Sequence, residues 1–388
     1  MAQIKAPTVL FLASWYPTPI NKSHGIFIRN HAIALSKFSN VVVAYAYSDS
    51  NTLESKLHTT IVNENFTEYI VEYKKSNSSI PLISQLQKLL RFKSAYKSLL
   101  NVLQKKHLNV TAIQVNVVFP AAMCFSIFKN YYKVKHTIVE HWSGYLPEDG
   151  NYNGFFTKFY TKKVFKNASK IFYVSEKQKE AMRIHGLVGN YQLIYNVVDT
   201  TIFKINPNKK NPIPLFLHVS TLDKDQKNIL GTLNTLKNLQ NSSSSFQSIF
   251  VGGDLETKHY FEEKAKELSI TNIDFVGHKT QIQIAELMQQ AHALILFSNY
   301  ENMPVVILEA LACGLPIFAS NVGQLPYFIS DDFGILVDVG NEEQLTKHLQ
   351  LFLEGKLKFD ANKMNIFISE HATHEIVGRQ LADEYLIS

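Results

Sequence analysis

Short apolar runs recur along the chain, separated by longer polar or amphipathic segments. Runs of this length, bounded by turn residues, are typical of buried strands. The predicted strands are residues 8–13, 41–47, 112–118, 134–140, 170–174, 191–195, 215–219, 247–251, 272–277, 294–297, 316–319 and 334–337. The predicted helices are residues 26–37, 80–107, 281–291, 305–313, 342–353 and 374–386, with two more after Ser175 and after Lys227-Asn228. Strands that alternate with helices favour parallel sheets covered by helices on both faces.

The chain has 388 residues, 46% of them hydrophobic, which is enough for two domains with sizeable cores. Residues 204–214 are rich in Pro, Asn and Lys, a composition typical of a linker. We therefore predict two domains, residues 1–204 and 205–388. Polar residues 48–80 predict short strands and loops, and the serines at 242–245 predict a loop.

Cys124 and Cys313 are the only cysteines, and both lie in apolar helical contexts. They predict buried, reduced thiols in a cytoplasmic protein rather than a disulfide framework. The apolar run at residues 8–13 is too short for the core of a signal peptide or for a spanning helix, and no other run reaches spanning length.

Charge is divided unevenly between the two halves of the chain. The net charge of +6 consists of +13 in residues 1–200, which hold 24 Lys and Arg against 11 Asp and Glu, and −7 in residues 201–388. A basic first half predicts an anionic partner. Nucleic acid is not the expected partner, because the chain has no zinc-finger spacing, basic zipper or aromatic RNA-binding motif.

Two segments of the first half combine basic residues with apolar ones. Residues 81–107 interleave leucines with Lys and Arg in a helical pattern, and residues 155–170 repeat the mixture with aromatic residues. One interpretation is a basic amphipathic surface that lies on an anionic membrane, which would place the protein peripherally at the inner face of that membrane. The alternative is a helix packed on its own domain with a solvated basic face.

Residues 298–321 are the most informative segment. A polar loop leads to Pro304, which stands where a helix begins, because the first turn of a helix does not need its missing N–H. The helix predicted at residues 305–313 is apolar on all sides except at Glu309, and Gly314 follows as its C-cap. A strand comes next, so the segment predicts a crossover between parallel strands.

An ionised carboxylate in an apolar helix is costly unless it has a fixed partner. Glu301 lies eight positions before Glu309, in the loop that precedes the helix. Ligands of open α/β sheets bind at the carboxyl ends of strands, where helix N-termini attract phosphate. Carboxylates bind sugar hydroxyls, so the two acids beside a phosphate site indicate a nucleotide-sugar. The alternative is a surface Glu301 and a salt-bridged Glu309.

The segment E-N-M-P-V-V-I-L-E, followed by A-L-A-C-G-L-P-I, resembles the E-x7-E signature of retaining glycosyltransferases of family four. The resemblance covers most of the chain and is strongest over residues 270–340. It implies an α/β fold of two Rossmann-like parallel-sheet domains that face each other across a cleft, the glycosyltransferase B fold. In that fold the final helix commonly returns to the first domain.

The resemblance also implies roles for residues that match the family pattern. Glu301 would hold hydroxyls of the donor sugar, and Glu309 would hold the ribose of the nucleotide. His141, in the segment E-H-W-S-G after a predicted strand, would lie beside the donor sugar as the second catalytic residue; a structural histidine is the alternative. Gly25 would bring the backbone of the first loop close to the donor, or would form a plain turn.

Other matching positions would complete the donor site. Lys227 corresponds to the family lysine that holds the diphosphate, with a plain surface lysine as the alternative. Thr221 stands where the family has a second cation, an arginine. Lys224 or a basic residue of the first domain would substitute for that arginine. The remaining predicted donor-binding residues are Val276, His278, Asn302, Met303 and Val305.

Asp223 and Asp225 form a D-x-D pattern, which holds a divalent metal ion in glycosyltransferases of the other, single-domain fold. The loop matches the lysine motif better. We therefore predict no metal ligand, and no cofactor apart from the donor substrate.

These features predict a retaining glycosyltransferase that moves a sugar from a nucleotide-sugar to the hydroxyl of a glycan or lipid-linked acceptor, in the synthesis of cell-surface polysaccharide or glycolipid. A nucleotide-sugar epimerase of the same fold and a non-catalytic nucleotide-sugar-binding protein are the alternatives. A glycoside hydrolase is disfavoured, because it needs two carboxylates across the scissile bond, whereas one acid here lies in an apolar helix.

Overall fold

The computed structural model describes residues 6–76, 78–242 and 245–386, so residues 243–244 of the predicted serine loop lie outside the described part. The chain divides into two compact units. One comprises the described residues up to Val197 and those from His374 onward, and the other is Val198–Thr373. The division precedes the predicted boundary at residue 204, because Val198 N already donates to Ala372 O (2.7 Å) and so attaches the chain to the second unit.

The first unit contains eight strands and six helices of at least nine residues among its described residues. The strands are β1 (Thr8–Ala13), β2 (Asn40–Asp49), β3 (Lys56–Asn63), β4 (Phe66–Lys74), β5 (Ala112–Asn116), β6 (Lys135–Glu140), β7 (Lys170–Tyr173) and β8 (Tyr191–Leu193). The helices are α1 (Ile26–Leu35), α2 (Pro81–Lys105), α3 (Val118–Tyr132), α4 (Phe155–Phe165), α5 (Glu176–Ile184) and the last helix of the chain, α12 (His374–Leu386).

These strands form one sheet in the order β3-β4-β2-β1-β5-β6-β7-β8. Every neighbouring pair is parallel except β3 with β4, which form an antiparallel hairpin. The order reverses between β1 and β5, the point at which open α/β sheets bind ligands beyond the carboxyl ends of their strands.

Helices cover both faces of this sheet. Residues of α2, α3, α4 and α5 share one core with Leu10 and Leu12 of β1. Successive side chains of a strand point to opposite faces. Gln114 of β5 therefore points away from that core, and Tyr385 of α12 donates to its Oε1 (2.7 Å). The last helix thus packs on the face opposite α2–α5, together with α1.

The second unit repeats the alternation of strands and helices. Its strands are β9 (Leu215–Val219), β10 (Gln247–Val251), β11 (Ile273–Gly277), β12 (Ala293–Leu296), β13 (Ile317–Ser320) and β14 (Gly334–Val337). Its helices are α6 (Ile229–Asn241), α7 (Leu255–Glu267), α8 (Gln281–Gln290), α9 (Val305–Ala312), α10 (Glu342–Leu353) and α11 (Ala361–His371).

The second sheet is parallel throughout, in the order β11-β10-β9-β12-β13-β14. Its order reverses between β9 and β12, both of which are fully paired central strands. The loops that follow these two strands therefore meet at the reversal point, where a ligand site is expected.

Several predicted elements differ from the observed ones. The strand predicted at residues 112–118 ends at Asn116, because Val117 adopts a φ of 52° and α3 follows. The sequence pattern did not predict α3, α4, α7 or α11. Residues 48–80 contain the β3–β4 hairpin. In the part of the chain that the structure describes, no helix is both long and apolar enough to cross a membrane.

Candidate functional site

Glu301 and Lys227 lie at the reversal point of the second sheet. Lys227 follows β9 and Glu301 follows β12, and the Lys227 ammonium forms an ion pair with Oε1 of Glu301. Ser298 Oγ donates to the same oxygen (2.9 Å), and Gln226 Nε2 lies 3.3 Å from Oε2. Glu301 is 5% exposed. The structure therefore brings together the cation predicted to hold the diphosphate and the acid predicted to hold the sugar.

Backbone contacts hold the two loops together. Asn299 N donates to Gln226 O (2.8 Å), and Asn299 Nδ2 donates to Asp225 O (2.7 Å). Because each loop is anchored to its own central strand, these bonds fix the relative positions of Lys227 and Glu301.

Glu309 is half-buried on α9. Burial raises the pKa of its carboxyl group to about 7. Among the residues that the structure describes, none forms an ion pair or a hydrogen bond with this carboxyl group. The salt-bridged Glu309 of the alternative interpretation is therefore wrong for the described residues, and its carboxyl group is available to a ligand.

The loop before α9 is packed against the turn that follows β13. Asn302 and Met303 are buried, and Asn302 O accepts a hydrogen bond from Gln324 N (2.8 Å). Gly323 has a φ of 59°, and a Cβ there would lie 2.2 Å from Asn302 O and 2.5 Å from Glu301 O. Only glycine fits at this position. Val305 begins α9 after Pro304, whose side chain has no polar group that could cap the helix N-terminus.

The D-x-D segment serves its own loop. Asp223 Oδ1 accepts hydrogen bonds from Asp225 N (3.0 Å) and Gln226 N (2.7 Å). The Lys224 ammonium lies 3.7 Å from the centroid of the Tyr260 ring. Lys224, one of the predicted substitutes for the missing arginine, therefore contacts the ring of Tyr260. The described residues contain no cluster of three or more potential metal ligands from His, Cys, Asp and Glu.

Val276 and His278 lie at the end of β11, which is separated from β9 by β10. Val276 is half-buried and His278 is exposed. Gly252 N donates to Gly277 O (2.9 Å), which joins the loops after β10 and β11. These two predicted residues therefore lie along the same carboxyl edge as Lys227, but not beside it.

His141 occupies the corresponding edge of the first sheet. It follows β6, is 8% exposed, and packs its ring against Phe27 (centroid distance 4.3 Å) and His31 (5.3 Å), both on α1. Burial, and secondarily the neighbouring His31, lowers the pKa of His141 well below its usual value. Burial also lowers the pKa of His31 to about 4. Both imidazoles are therefore neutral at pH 7.

Glu140 holds the loop that carries His141. Its carboxylate accepts hydrogen bonds from the backbone N of Val118 (3.0 Å), His141 (2.9 Å) and Trp142 (3.0 Å) and from the Tyr145 hydroxyl (3.0 Å). Burial raises the pKa of Glu140, while those hydrogen bonds oppose the rise. No role was predicted for Glu140. A carboxylate at the carboxyl end of a predicted strand was the available signal.

Gly25 begins α1 with a φ of 66°, and a Cβ at this position would lie 2.6 Å from Trp15 C. The close approach folds the loop after β1 back on itself, and it places Phe27 of α1 against His141. In the first unit Gly25 therefore precedes the helix whose Phe27 packs against His141.

The structure thus defines a class of protein with two Rossmann-like domains. One of these domains has a cation, two acids and the start of a helix near the reversal point of its sheet. The family model described as "Glycosyl transferases group 1" matches residues 198–370, which span almost all of the second unit. Over this range the chain is similar to the group 1 glycosyl transferases, and the chain is a glycosyltransferase enzyme.

Similar proteins span both units. An uncharacterized glycosyltransferase of Methanocaldococcus jannaschii is 23% identical over 282 residues, which cover 72% of this chain and 76% of that protein. The structure of sucrose-phosphate synthase from Thermosynechococcus elongatus matches with a TM-score of 0.76 at 18% identity and covers 98% of both chains. The Anabaena protein HepE, solved in complex with UDP and glucose, matches with a TM-score of 0.72 at 16% identity over 98% of this chain and 99% of that one. The predicted two-domain fold of the glycosyltransferase B class is confirmed.

Proposed function

We propose that this glycosyltransferase moves a sugar, with retention of anomeric configuration, from a nucleotide-sugar to a hydroxyl of a glycan or lipid-linked acceptor. The proposed pathway is the synthesis of cell-surface polysaccharide or glycolipid. The observation that carries this proposal is the arrangement of Lys227, Glu301 and Glu309 around the start of α9. HepE, with UDP and glucose bound, supports the choice of a UDP-sugar as the first donor to try.

Lys227 and the amides at the start of α9 have the chemistry needed for the diphosphate. Negative charge builds on that group as the bond to the sugar breaks, and fixed cations and N–H groups stabilise it most where water is excluded. Lys227 has a side chain only 12% exposed. In this proposal the diphosphate competes with Glu301 for the Lys227 ammonium.

Glu301 would then act on the sugar. Once Lys227 turns to the diphosphate, the Glu301 carboxylate keeps Ser298 Oγ as a donor and can accept hydrogen bonds from sugar hydroxyls. Glu309 would accept hydrogen bonds from the two ribose hydroxyls. These hydroxyls would supply the partners that its half-buried carboxyl group does not find among the described residues. His141, neutral at pH 7, would contribute a hydrogen bond near the sugar and not a charge.

The reaction would need no protein nucleophile. The acceptor hydroxyl would attack from the face that the diphosphate leaves, and the departing phosphate oxygen would take its proton. The proposed reaction also uses no essential metal, and Asp223 Oδ1 accepts hydrogen bonds from its own loop.

The test starts with a thermal-shift screen of nucleotide-sugars, because a ligand that binds only the folded state raises the melting temperature. The donor found is then incubated with candidate acceptors, and the anomeric configuration of the product is followed by NMR. A product with the donor's configuration is expected, and an inverted product would contradict retention. Conversion of the donor without any acceptor would favour the epimerase, and binding without turnover would favour the non-catalytic protein.

A further inference from the structure

One face of the first unit combines exposed apolar side chains with an unbalanced positive charge. The helices α2, α3 and α4 are neighbours on this face. Across the three helices there are nine Lys or Arg residues and no Asp or Glu. The proposed transfer reaction uses none of these residues.

The first ten residues of α2, residues 81–90, bury no side chain, and the first buried one is Phe92. Arg91 Nη1 donates to Lys74 O (3.0 Å) and Lys75 O (2.8 Å), at the carboxyl end of β4. Residues 81–90 therefore form about 15 Å of helix, at 1.5 Å per residue, before the first buried side chain. Its exposed apolar residues include Leu82 (77% exposed), Leu86 (56%) and Leu90 (57%).

These leucines recur every four residues, so they lie on one stripe of the helix. No described side chain covers that stripe, because every residue of this segment stays exposed or half-buried. Lys88 is exposed in the same segment. The apolar side of the predicted amphipathic helix thus packs against the first unit only from Phe92 onward. The leucines in the first turns of α2 stay exposed.

A second exposed apolar group lies at the start of α4. Phe155, Phe156 and Phe159 are 76%, 68% and 54% exposed, and the rings of Phe155 and Phe159 stack at 6.4 Å. Lys158 and Lys162 beside them are exposed. Since α4 follows the loop after β6, it begins at the same carboxyl edge of the sheet as α2, with α3 between the two helices.

We propose that the exposed residues of segment 81–90 and the three phenylalanines of α4, together called the edge surface, bind the surface of a membrane that contains anionic lipids. Apolar side chains at the tips of two helices can enter the boundary between headgroups and acyl chains, while lysines meet lipid phosphates. A second copy of the chain fits this surface poorly, because it would bring two sets of cations together with no acid on either side. The inference does not depend on the proposed reaction.

The test is flotation of the full chain with vesicles of phosphatidylcholine alone or mixed with phosphatidylglycerol, at low and high salt. Recovery should be high only with phosphatidylglycerol and should fall as salt rises. The triple variants Phe155→Ser/Phe156→Ser/Phe159→Ser and Leu82→Ser/Leu86→Ser/Leu90→Ser should each lower the partition coefficient about tenfold or more, because the bound state loses its apolar contact.

Ile184→Ser is the matched control. Ile184 is 81% exposed and lies on the same helical layer as α2 and α4. It is the last residue of α5, and it therefore lies at the amino edge of the sheet, opposite the carboxyl edge that carries the edge surface. It should float like the parent, and all variants should keep the parent's circular dichroism and melting temperature. Equal recovery with both vesicle types, no recovery with either, or an equal loss in the Ile184 variant would overturn the proposal. So would a dimer that forms without lipid and is abolished by the triple variants.

Discussion

Two carboxyl groups, one in each unit, show what burial means with and without partners. Glu140 in the first unit accepts four hydrogen bonds, three of them from backbone N–H groups. Glu309 in the second unit accepts none from the described residues, although burial raises its pKa to about 7. Glu140 therefore stabilises the fold through its hydrogen bonds, whereas burial of Glu309 is unfavourable because no described residue compensates for it. A titratable group kept in an unfavourable place is a candidate for ligand binding.

Glu301 lies between these extremes. It is nearly as buried as Glu140, but its partners are the side chains of Lys227, Ser298 and Gln226 rather than backbone groups. Side chains can change partners without unfolding a loop. Glu301 is therefore well supported before a donor arrives and still able to exchange Lys227 for a sugar.

Replacement of Glu140 should give the largest effect. Glu140→Leu leaves three backbone donors and the Tyr145 hydroxyl without an acceptor, and should destabilise the first unit by about 3 kcal/mol or more. Urea unfolding followed by tryptophan fluorescence reports on this unit, because both tryptophans, Trp15 and Trp142, belong to it. Glu148→Leu, an exposed change in the same loop, is the control. An unchanged midpoint for Glu140→Leu would show that the four bonds do not hold the loop.

Glu309→Gln should affect the donor rather than the fold. An amide cannot accept from two hydroxyls as a carboxylate does, so donor binding should weaken by on the order of 2 kcal/mol, about 30-fold. Calorimetric titration with the donor identified in the thermal-shift screen measures this. Glu286→Gln, an exposed change on α8, should bind like the parent. Parent-like affinity in a folded Glu309→Gln protein would exclude the ribose role.

The same variant should also alter the pH dependence of stability. Because the folded pKa of Glu309 is raised to about 7 from a usual value of 4.5, the folded state holds this proton more tightly than the unfolded state. The stabilisation is complete below pH 4.5 and is lost as pH rises through 7. Without donor, the parent should therefore lose more stability than Glu309→Gln between pH 4.5 and 8. Parallel curves of melting temperature against pH for the second unit would contradict the raised pKa.

Metal removal should give the smallest effect. Asp223 resembles Glu140 in that its carboxylate accepts hydrogen bonds from backbone N–H groups, in this case through Oδ1 alone. We therefore expect EDTA to leave transfer activity essentially unchanged. An activity lost on chelation and restored by magnesium or manganese would assign the D-x-D segment to catalysis and would make Asp223 a ligand rather than a loop-holding residue.

The central motif was predictable because its signals are local. Pro304, the apolar run and Gly314 lie next to one another, and they predicted the helix that the structure shows as Val305–Ala312. The same local signals placed Glu309 on that helix. By contrast, α7 was missed, since only Phe261 and Ala265 are buried in it and its apolar face is too narrow to give a clear period.

The supporting residues were not predictable in the same way. Gly323 is needed because its backbone passes Asn302 O, and Ser298 and Gln226 matter only because they reach Glu301. A glycine or a serine after a strand can have many structural roles. The residues that it contacts in the folded protein cannot be predicted from the residues beside it in the sequence.

The sequence by itself determined the alternation of buried strands and helices, the two-domain architecture and the position of the two acids around α9. These features depend on periodicity and on turn residues, which act over a few positions. The tertiary structure decided which groups meet. Lys227 and Glu301 are 74 residues apart and pair only because the sheet order reverses between β9 and β12. It also decided that Glu140 has four partners and Glu309 none among the described residues, because burial and hydrogen bonding arise from the packing of distant segments.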